Sequence, residues 1–337
     1  MRLTDDQLAL RDTVRRMLAD ARGELWEQLV GVGVPALSVP EEYGGLGAGL
    51  AEVHVVHREL GRALVAVPAL SSVLASAALL ATGDDAACRR LLPAVVAGET
   101  VALAWSGPDG RWDGCGTARR DGDGWCLDGE AAYVLDGATA ATLLVVARTD
   151  DGPALFLVDP AVVRTTPTPA MDQTRGLASA TFAGTPAEPL CPVDLARVRD
   201  VACVALAAEL AGTAARCLEL TVEYTGRRTQ FGRPIGSFQA LKHRMADMHV
   251  LVETAESAAL AAALAEPSEL PLLAAVAKAH CAEAASEVAG EMIQLHGGIA
   301  ITWEHDAHRY LKRAHAGAHL FGAPATHVDR MARLAGF

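Results

Sequence analysis

Apolar residues recur at helical spacing near the start of the chain, at Leu3, Leu8, Leu10, Val14 and Leu18. This spacing predicts an amphipathic first helix, which Thr4 can cap at its N-terminus. A second helix is predicted over about 49–63, after a tight loop with the sequence VPEEYGGLG at 39–47. We therefore expect residues 1–100 to form a mainly helical unit.

The pattern changes to strands between about 101 and 190. The apolar runs ATLLVVA at 141–147 and ALFLV at 154–158 are strand-like in length and composition. The sequences DGDG and DDG that separate such runs are typical of hairpin turns. These features predict a β domain in the middle of the chain.

Long helices return from residue 195 to residue 337. They are predicted at 198–225, about 237–265, 272–295, 305–313 and after 324. The stretch AAVAKAHCAEAASEVAG is rich in small side chains, which let helices approach closely, as a tight bundle requires. The predicted fold class is α+β and multidomain, in the order helical, β, helical.

Residues 64–83 carry no charge over about the length of a membrane span. A proline, three serines and several alanines dilute this stretch, whereas a span facing lipid favours larger apolar residues. We expect a buried helix of a soluble core and no membrane insertion. The first residues also lack the apolar run of a signal peptide.

Charge and cysteine content narrow the classes of partner and compartment. The 337 residues carry a formal net charge of -12, which argues against a nucleic-acid partner because phosphates attract a broad basic face. The seven cysteines form no CxxC pair, and such an unspaced odd set suits a reducing compartment. We expect a cytoplasmic protein.

One basic cluster lies in this acidic chain, in the stretch YTGRRTQFGRPIGSFQ at 224–239. Arg227, Arg228 and Arg233 surround an aromatic residue and three glycines. Two interpretations are open: the arginines hold a small anion, or they only solvate a helix end. No GxGxxG motif follows a strand, so a nucleotide would have to be held outside a Rossmann-type domain.

Four stretches together resemble the signatures of the acyl-CoA dehydrogenase family. They are VPEEYGGLG with HRELGRALVAVP, then RRLLPAVVAGETVALAW, RRTQFGRPIGSFQALKHRMADM and QLHGGIAITWEHDAHRYLKRA. The resemblance spans nearly the whole chain. It implies an N-terminal α-helical domain (1–100), a middle β-barrel domain (101–190) and a C-terminal four-helix bundle (195–337), with FAD as the cofactor and an acyl-CoA as the substrate.

The resemblance also implies which residues hold FAD. In the family, an Arg-x-x-Phe-Gly motif contributes to the pyrophosphate and adenine end of a neighbouring chain's FAD. Here that motif is Arg228, Phe231 and Gly232. A guanidinium can donate two hydrogen bonds to a pyrophosphate, and a phenyl ring can pack on the cofactor's flat surface. For Arg227 and Arg233, both interpretations remain open.

A second FAD motif is implied at the end of a helix. Gln294, Gly297 and Gly298 match the family's adenine-side residues. These residue types suit the role, since an amide can pair with adenine and glycines let the backbone approach a cofactor. The same glycines would also suit a helix C-cap. The family's Gly-Gly-x-Gly pattern departs at Ala300.

The family's catalytic base is missing at both places where it occurs. Dehydrogenation of an acyl-CoA removes a proton to a positioned carboxylate, nearly always a glutamate. The two corresponding positions fall on Phe321 and Ala202. The remaining candidates are Asp200, which is the best placed, and Glu209, Glu304 and Asp306.

The segments that would contact the chain's own flavin ring are altered too. The family's Thr-Glu-Pro-type segment reads AWSGPDG at 104–110, and its Trp-Ile-Thr segment reads YVLDG at 133–137. Tyr133 replaces the tryptophan and Leu135 the threonine. The residues that would reach a neighbour's FAD are kept, whereas those that would serve the chain's own flavin ring and substrate are lost.

Four histidines near the C-terminus have spacings that can line a helix face: His305, His308, His315 and His319. No carboxylate-backed ligand set accompanies them, so we expect a polar helical rim and no metal site.

Three functions fit these patterns. The first is a degenerate subunit of a heteromeric acyl-CoA dehydrogenase, which shares FAD with a partner chain that bears the glutamate. The second is a self-sufficient homo-oligomeric acyl-CoA dehydrogenase with a displaced base, for which Asp200 is the candidate. The third is a non-enzymatic assembly protein that keeps the fold without a cofactor.

Overall fold

A computed structural model describes residues 2–20 and 24–337. Residue 1 and residues 21–23 of the predicted N-terminal unit lie outside the described residues. The described chain is helical, then β, then helical, as the sequence pattern predicts. The change from helix to strand falls between 96 and 101, and the change back to helix falls between 192 and 195.

The N-terminal unit consists of helices, which are α1 (Asp5–Ala19), α2 (Leu25–Gly31), α3 (Leu50–Ala63), α4 (Ala69–Leu80) and α5 (Asp85–Val96). The first helix begins as predicted, because the Thr4 hydroxyl accepts a hydrogen bond from the backbone of Gln7 at 3.3 Å. The Gln7 side chain in turn accepts one from the Thr4 backbone at 3.0 Å, which completes a capping box.

The uncharged stretch at 64–83 contains the short core helix α4. Every side chain from 69 to 79 is buried, which confirms a buried helix in this stretch. Helix α4 is too short to cross a membrane, and in the described part of the chain one helix, Leu195–Arg227, is long and apolar enough to do so by length and composition. In its most apolar window, 89% of the residues are buried inside the protein.

The middle unit contains β1 (Val101–Ala104), β2 (Gly116–Asp121), β3 (Gly124–Leu135), β4 (Thr142–Thr149), β5 (Gly152–Val158), β6 (Arg164–Pro167) and β7 (Leu177–Pro192). Pairing runs β2–β3–β7–β5–β4 and returns from β4 to β2, so five strands close into a ring. The predicted turns at 121–124 and 150–152 join β2 to β3 and β4 to β5. Leu127, Phe156 and Phe182 belong to the core of this barrel.

The C-terminal unit begins with α6 (Leu195–Arg227) and the small hairpin β8 (Thr229–Gln230) and β9 (Arg233–Pro234). It continues with α7 (Gln239–Ala263), α8 (Leu270–His296), α9 (Ala307–His319) and α10 (Pro324–Leu334). Helix α6 packs against α7, α8 and α9, and α10 packs against α8. The predicted helices are confirmed, although α9 extends six residues beyond the predicted end at 313.

Two glycines let α3 cross α6 at backbone contact. A Cβ atom on Gly61 would lie 2.0 Å from the Glu209 carbonyl oxygen, and one on Gly212 would lie 1.9 Å from the Arg58 carbonyl oxygen. Neither backbone can yield without moving a whole helix, so these positions require glycine. The crossing joins the N-terminal unit to the bundle.

A buried ionic cluster joins all three units. Arg313 of α9 donates to Glu209 of α6 at 2.6 Å, to Asp172 of the β unit at 2.8 Å and to the carbonyl of Val65 at 2.9 Å. Arg175 also pairs with Glu209. Burial alone would raise the pKa of Glu209, but the two guanidinium groups outweigh it and lower the pKa to about 2. Glu209 is thus a structural carboxylate.

Candidate functional site

The ends of α6 and α8 meet at one tip of the bundle. The ring of Tyr224, in the last turn of α6, stacks on the ring of His296 at the end of α8, with centroids 4.4 Å apart and planes 20° apart. Each of the two predicted FAD motifs starts within four residues of this stack. The stack therefore brings residues 228–232 and 294–298 to the same end of the bundle.

The three arginines of the basic cluster have different surroundings. Arg227 pairs with Glu223 at 2.8 Å, one helical turn earlier, and Arg233 lies 4.0 Å over the ring of Phe238. Arg228 is exposed and, within residues 2–20 and 24–337, forms no ion pair or side-chain hydrogen bond. Arg227 therefore fits the interpretation in which an arginine only solvates a helix end, whereas the guanidinium of Arg228 is accessible to a ligand.

Phe231 projects from the turn of the hairpin between β8 and β9. Gln230 faces Arg233 across the hairpin, so Phe231 and Gly232 form its two-residue turn. Both have positive φ, at 51° and 77°, as a tight hairpin turn requires. The Phe231 side chain is 91% exposed. A large aromatic ring is thereby held out from the bundle, and its edge contacts the ring of Phe238.

The adenine-side motif lies in the open as well. Gln294 is exposed on the last turn of α8. A Cβ atom on Gly297 or Gly298 would meet nothing within 4 Å, so the backbone there is free to touch a ligand. Gly297 also caps α8, because its N–H donates to the carbonyl of Ile293 and its φ is 64°. The C-cap interpretation is therefore correct for Gly297, while Gln294 and Gly298 are exposed beside it.

These residues fit the pyrophosphate and adenine end of FAD. An unpaired guanidinium, an uncovered aromatic ring and bare glycine backbone are the groups that an anionic dinucleotide with a flat base can use. All of them point out from the bundle tip, where a neighbouring chain can reach them. The assignment of individual contacts stays a prediction.

Phe321, which the sequence comparison predicts to replace the family's base, lies in an aromatic cluster. Phe321 is 1% exposed, and its ring contacts the rings of Trp105 at 5.7 Å and Trp112 at 5.1 Å. Tyr133, which replaces the family's tryptophan, lies 6.2 Å from Trp112. Leu135 is buried as well. The predicted base position is thus surrounded by aromatic rings.

Lys278 and His327 hold the backbone around Phe321 through hydrogen bonds. Lys278 of α8 is fully buried and donates to the carbonyls of Ala318 at 2.9 Å and Gly322 at 3.2 Å. His327 Nε2 donates to the carbonyl of Phe321 at 3.1 Å. Burial lowers the pKa of Lys278 to about 8. These bonds fix Phe321 in the left-handed backbone region, at φ 61°.

The other candidate carboxylates lie in different surroundings. Asp200 is buried and pairs with Arg330. Burial raises its pKa, and the pairing partly offsets that rise. Ala202 lies in the core of α6. Glu304 is exposed, and Asp306 pairs with Arg309 at 2.9 Å on the surface.

The four C-terminal histidines are separated in the structure. His315 and His319 line a large cavity beside the aromatic cluster, whereas His305 contacts His296 and His308 contacts Trp303. Within the described ranges, no group of three or more His, Cys, Asp or Glu residues is arranged to hold a metal.

The sequence interpretation did not single out Trp112, Lys278 or Arg313. Trp112 sits in a glycine-rich loop, where a large aromatic is unusual, and Lys278 is the one cation in the apolar run AAVAKAHC. Those two signals could have been noticed. Arg313 lies in an ordinary amphipathic helix, and its burial depends on contacts with two other units.

Comparisons with known proteins identify the family of the chain. Residues 4–99 match the model of the acyl-CoA dehydrogenase N-terminal domain, and residues 200–335 match the C-terminal domain. The chain is 42% identical to acyl-CoA dehydrogenase IpdE2 of Mycobacterium tuberculosis over 94% of this chain and 89% of the relative.

Solved structures of similar proteins include assemblies of two named chains. The ChsE4–ChsE5 complex of Mycobacterium tuberculosis superposes with a TM-score of 0.90 at 29% identity, over 100% of this chain and 99% of the other. A variant of the Tcur3481–Tcur3483 steroid ACAD superposes with a TM-score of 0.87 at 32% identity, over 98% of each chain. The chain belongs to the acyl-CoA dehydrogenase family, whose members are FAD-dependent oxidoreductases acting on CH–CH groups.

Proposed function

We propose that this chain is a base-lacking subunit of a heteromeric acyl-CoA dehydrogenase, which shares FAD with a partner chain that bears the catalytic glutamate. One observation carries the proposal. Phe321, at the position assigned to the base, packs in a cluster with Trp105 and Trp112, while Arg228 and Phe231 are exposed at the bundle tip.

The two chains would have different roles in the reaction. Bound FAD supplies the acceptor for the hydride that leaves the acyl group. The partner supplies the carboxylate that takes the α-proton, together with the flavin-ring pocket. This chain orients the cofactor from outside: the Arg228 guanidinium neutralises pyrophosphate charge, Phe231 packs on the flat surface, and Gln294 with the open backbone of Gly297 and Gly298 receives the adenine.

The relatives support a heteromeric form and a class of substrate. Two of the similar solved structures are named as pairs of different chains, and one of these is a steroid enzyme at 32% identity to this chain. We infer an acyl-CoA thioester with a steroid-derived acyl group in preference to a simple fatty acyl group. The seven cysteines are all free thiols, which suits the cytoplasmic location expected from the sequence.

Purification alone and with a partner tests the proposal. The lone chain is expected to carry little flavin and to oxidise no acyl-CoA. Co-expression with a glutamate-bearing acyl-CoA dehydrogenase chain from the same source is expected to give a flavin spectrum and turnover. Stoichiometric FAD with turnover in the lone chain would support a self-sufficient enzyme instead. Absence of FAD with every such partner would support a non-enzymatic assembly protein.

A further inference from the structure

A small cavity of about 240 Å³ lies where helices α1, α3 and α7 meet. Arg11 of α1, His54 of α3 and Glu253 of α7 are among the residues that line it. Drug-sized ligands occupy pockets of roughly 300–1,000 Å³, so this volume suits a smaller molecule. The cavity shares no residue with the bundle tip or with the large cavity beside the aromatic cluster.

His54 is a buried residue of this lining that lacks a hydrogen bond. It is 3% exposed, and within residues 2–20 and 24–337 its Nδ1 has no partner. Buried polar atoms in native proteins nearly always have one. Burial, and then the neighbouring Arg58, lower the pKa of His54 to about 4, so the ring is neutral at pH 7. A neutral imidazole does not repel a cation, and one of its two nitrogens accepts a hydrogen bond.

The two arginines that line the cavity already have carboxylate partners. Arg11 Nη2 lies 2.8 Å from Asp12. Arg58 donates to Glu59 at 2.7 Å and also to Glu256. The positive charges of the lining are therefore balanced by carboxylates of the chain itself, and an anionic ligand would have to compete with them.

Acceptor oxygens remain on the α7 side of the cavity. The hydrogen bonds from Arg58 reach Oε1 of Glu256, and in the described part of the chain its Oε2 has none. Glu253 has no arginine or lysine partner among the described residues, and its contact with His249 at 3.8 Å is too long for a hydrogen bond. Residues three apart on a helix lie on the same side, so both carboxylates reach the cavity.

We propose that this cavity binds a small primary amine in its protonated form, with the ammonium held between Glu253, Glu256 and His54. An ammonium has three N–H donors, which matches the two carboxylates and the one ring nitrogen. The alkyl part of the ligand packs against Val55 and Leu260 of the same lining. The inference goes beyond the shared-FAD function and does not depend on it, because the two sites use different residues.

Calorimetric titration with three four-carbon compounds at neutral pH and low ionic strength tests this inference: butylamine, butan-1-ol and butyrate. Butylamine is protonated there, as a lysine side chain is. It is expected to bind about tenfold or more tightly than butan-1-ol, because a charge-assisted hydrogen bond contributes that much. Butyrate is expected to bind no better than the alcohol. Butylamine binding no tighter than butan-1-ol, or a preference for butyrate, would overturn the proposal.

Two matched variants locate the site. Glu253→Gln is expected to weaken butylamine about tenfold or more and to leave butan-1-ol unchanged. Its side chain is 63% exposed, so the fold does not depend on it. Asp247→Asn removes a charge from an exposed position of the same helix outside the cavity and is expected to change neither ligand. Undiminished butylamine binding in E253Q, or equal weakening in both variants, would contradict the assignment.

His54→Leu tests the third acceptor and is expected to weaken butylamine about threefold or more. A thermal melt shows first whether this buried substitution leaves the chain folded, and the E253Q comparison stands without it. Unchanged butylamine affinity in a folded H54L chain would remove His54 from the site. The FAD content of the complex with a partner is expected to be the same with and without E253Q, which separates this inference from the shared-FAD function.

Discussion

The ring of Phe321 meets the ring of Trp112 edge to face, with centroids 5.1 Å apart and planes 77° apart. Aromatic pairs favour this arrangement because the positive edge of one ring faces the negative face of the other. The loop before α10 and the β unit are thereby joined at the position that the sequence comparison assigns to the family's base. On that assignment, this position serves as a packing contact between two units.

Phe321→Ala is expected to lower the free energy of unfolding by about 3–5 kcal/mol, the usual cost of removing a buried aromatic ring. Urea unfolding followed by tryptophan fluorescence measures this. Phe337→Ala is the control, because that side chain is 95% exposed and should change stability by less than about 0.5 kcal/mol. Equal effects of the two substitutions would show that the aromatic cluster does not stabilise the fold.

Glu209→Gln is expected to destabilise the chain by about 3–5 kcal/mol, because two buried guanidinium groups, of Arg313 and Arg175, would be left to share the single carboxylate of Asp172. Glu223→Gln breaks the exposed pair with Arg227 and should cost less than about 1 kcal/mol. The midpoints of chemical unfolding compare the two. A shift below about 1 kcal/mol for E209Q would rule out the ionic cluster as a stabilising junction.

Stability is expected to fall between pH 6.5 and 4. Burial is the largest cause that lowers the pKa values of His54, His57 and His327, each to about 4 from a usual value of 6.5. Between pH 6.5 and 4 the unfolded chain therefore binds more protons than the folded chain. The contribution of these neutral histidines to the free energy of unfolding is complete above pH 6.5. It is lost as the pH falls toward 4, at up to about 1.4 kcal/mol per pH unit for each histidine.

Unfolding free energies measured from pH 7.5 to 4 test this slope. His327→Gln is expected to reduce the slope, because one proton uptake disappears. His249→Gln, at an exposed position, is expected to leave the slope unchanged. If H327Q and H249Q changed the slope equally, burial of His327 would not be a cause of the pH dependence.

Asp200→Asn in the complex with a glutamate-bearing partner is expected to leave turnover within about twofold, because the pairing with Arg330 gives Asp200 a structural role. The same change should lower stability by about 3–5 kcal/mol, since Arg330 would lose its buried partner. Steady-state kinetics and a thermal melt measure the two effects. Abolished turnover with FAD still bound would make Asp200 the displaced base.

Much of the fold was predictable because its elements have strong local signals. The first helix carries its own capping residues, and the DGDG and DDG turns set the registers of two hairpins. The extension of α9 to His319 was missed because its last turn has the sequence HAGAH, which has little apolar periodicity. Its buried side consists of small residues that pack on α6: a Cβ on Gly317 would lie 2.9 Å from Leu210.

The two halves of the site differed in how far sequence could predict them. Arg228 and Phe231 belong to a contiguous motif, so their proximity follows from the hairpin alone. The cluster of Phe321 with Trp105 and Trp112 joins residues more than two hundred positions apart, and no local pattern indicates such a contact.

The most direct test of the shared-cofactor account is the FAD content of the complex when Arg228 is changed. Arg228→Gln in this chain, with an unaltered glutamate-bearing partner, is expected to weaken FAD binding about tenfold or more, because a charge-assisted pair with the pyrophosphate is lost. Arg227→Gln, the neighbouring arginine already paired with Glu223, should leave it nearly unchanged. Full FAD occupancy and unchanged affinity in the R228Q complex would contradict the account.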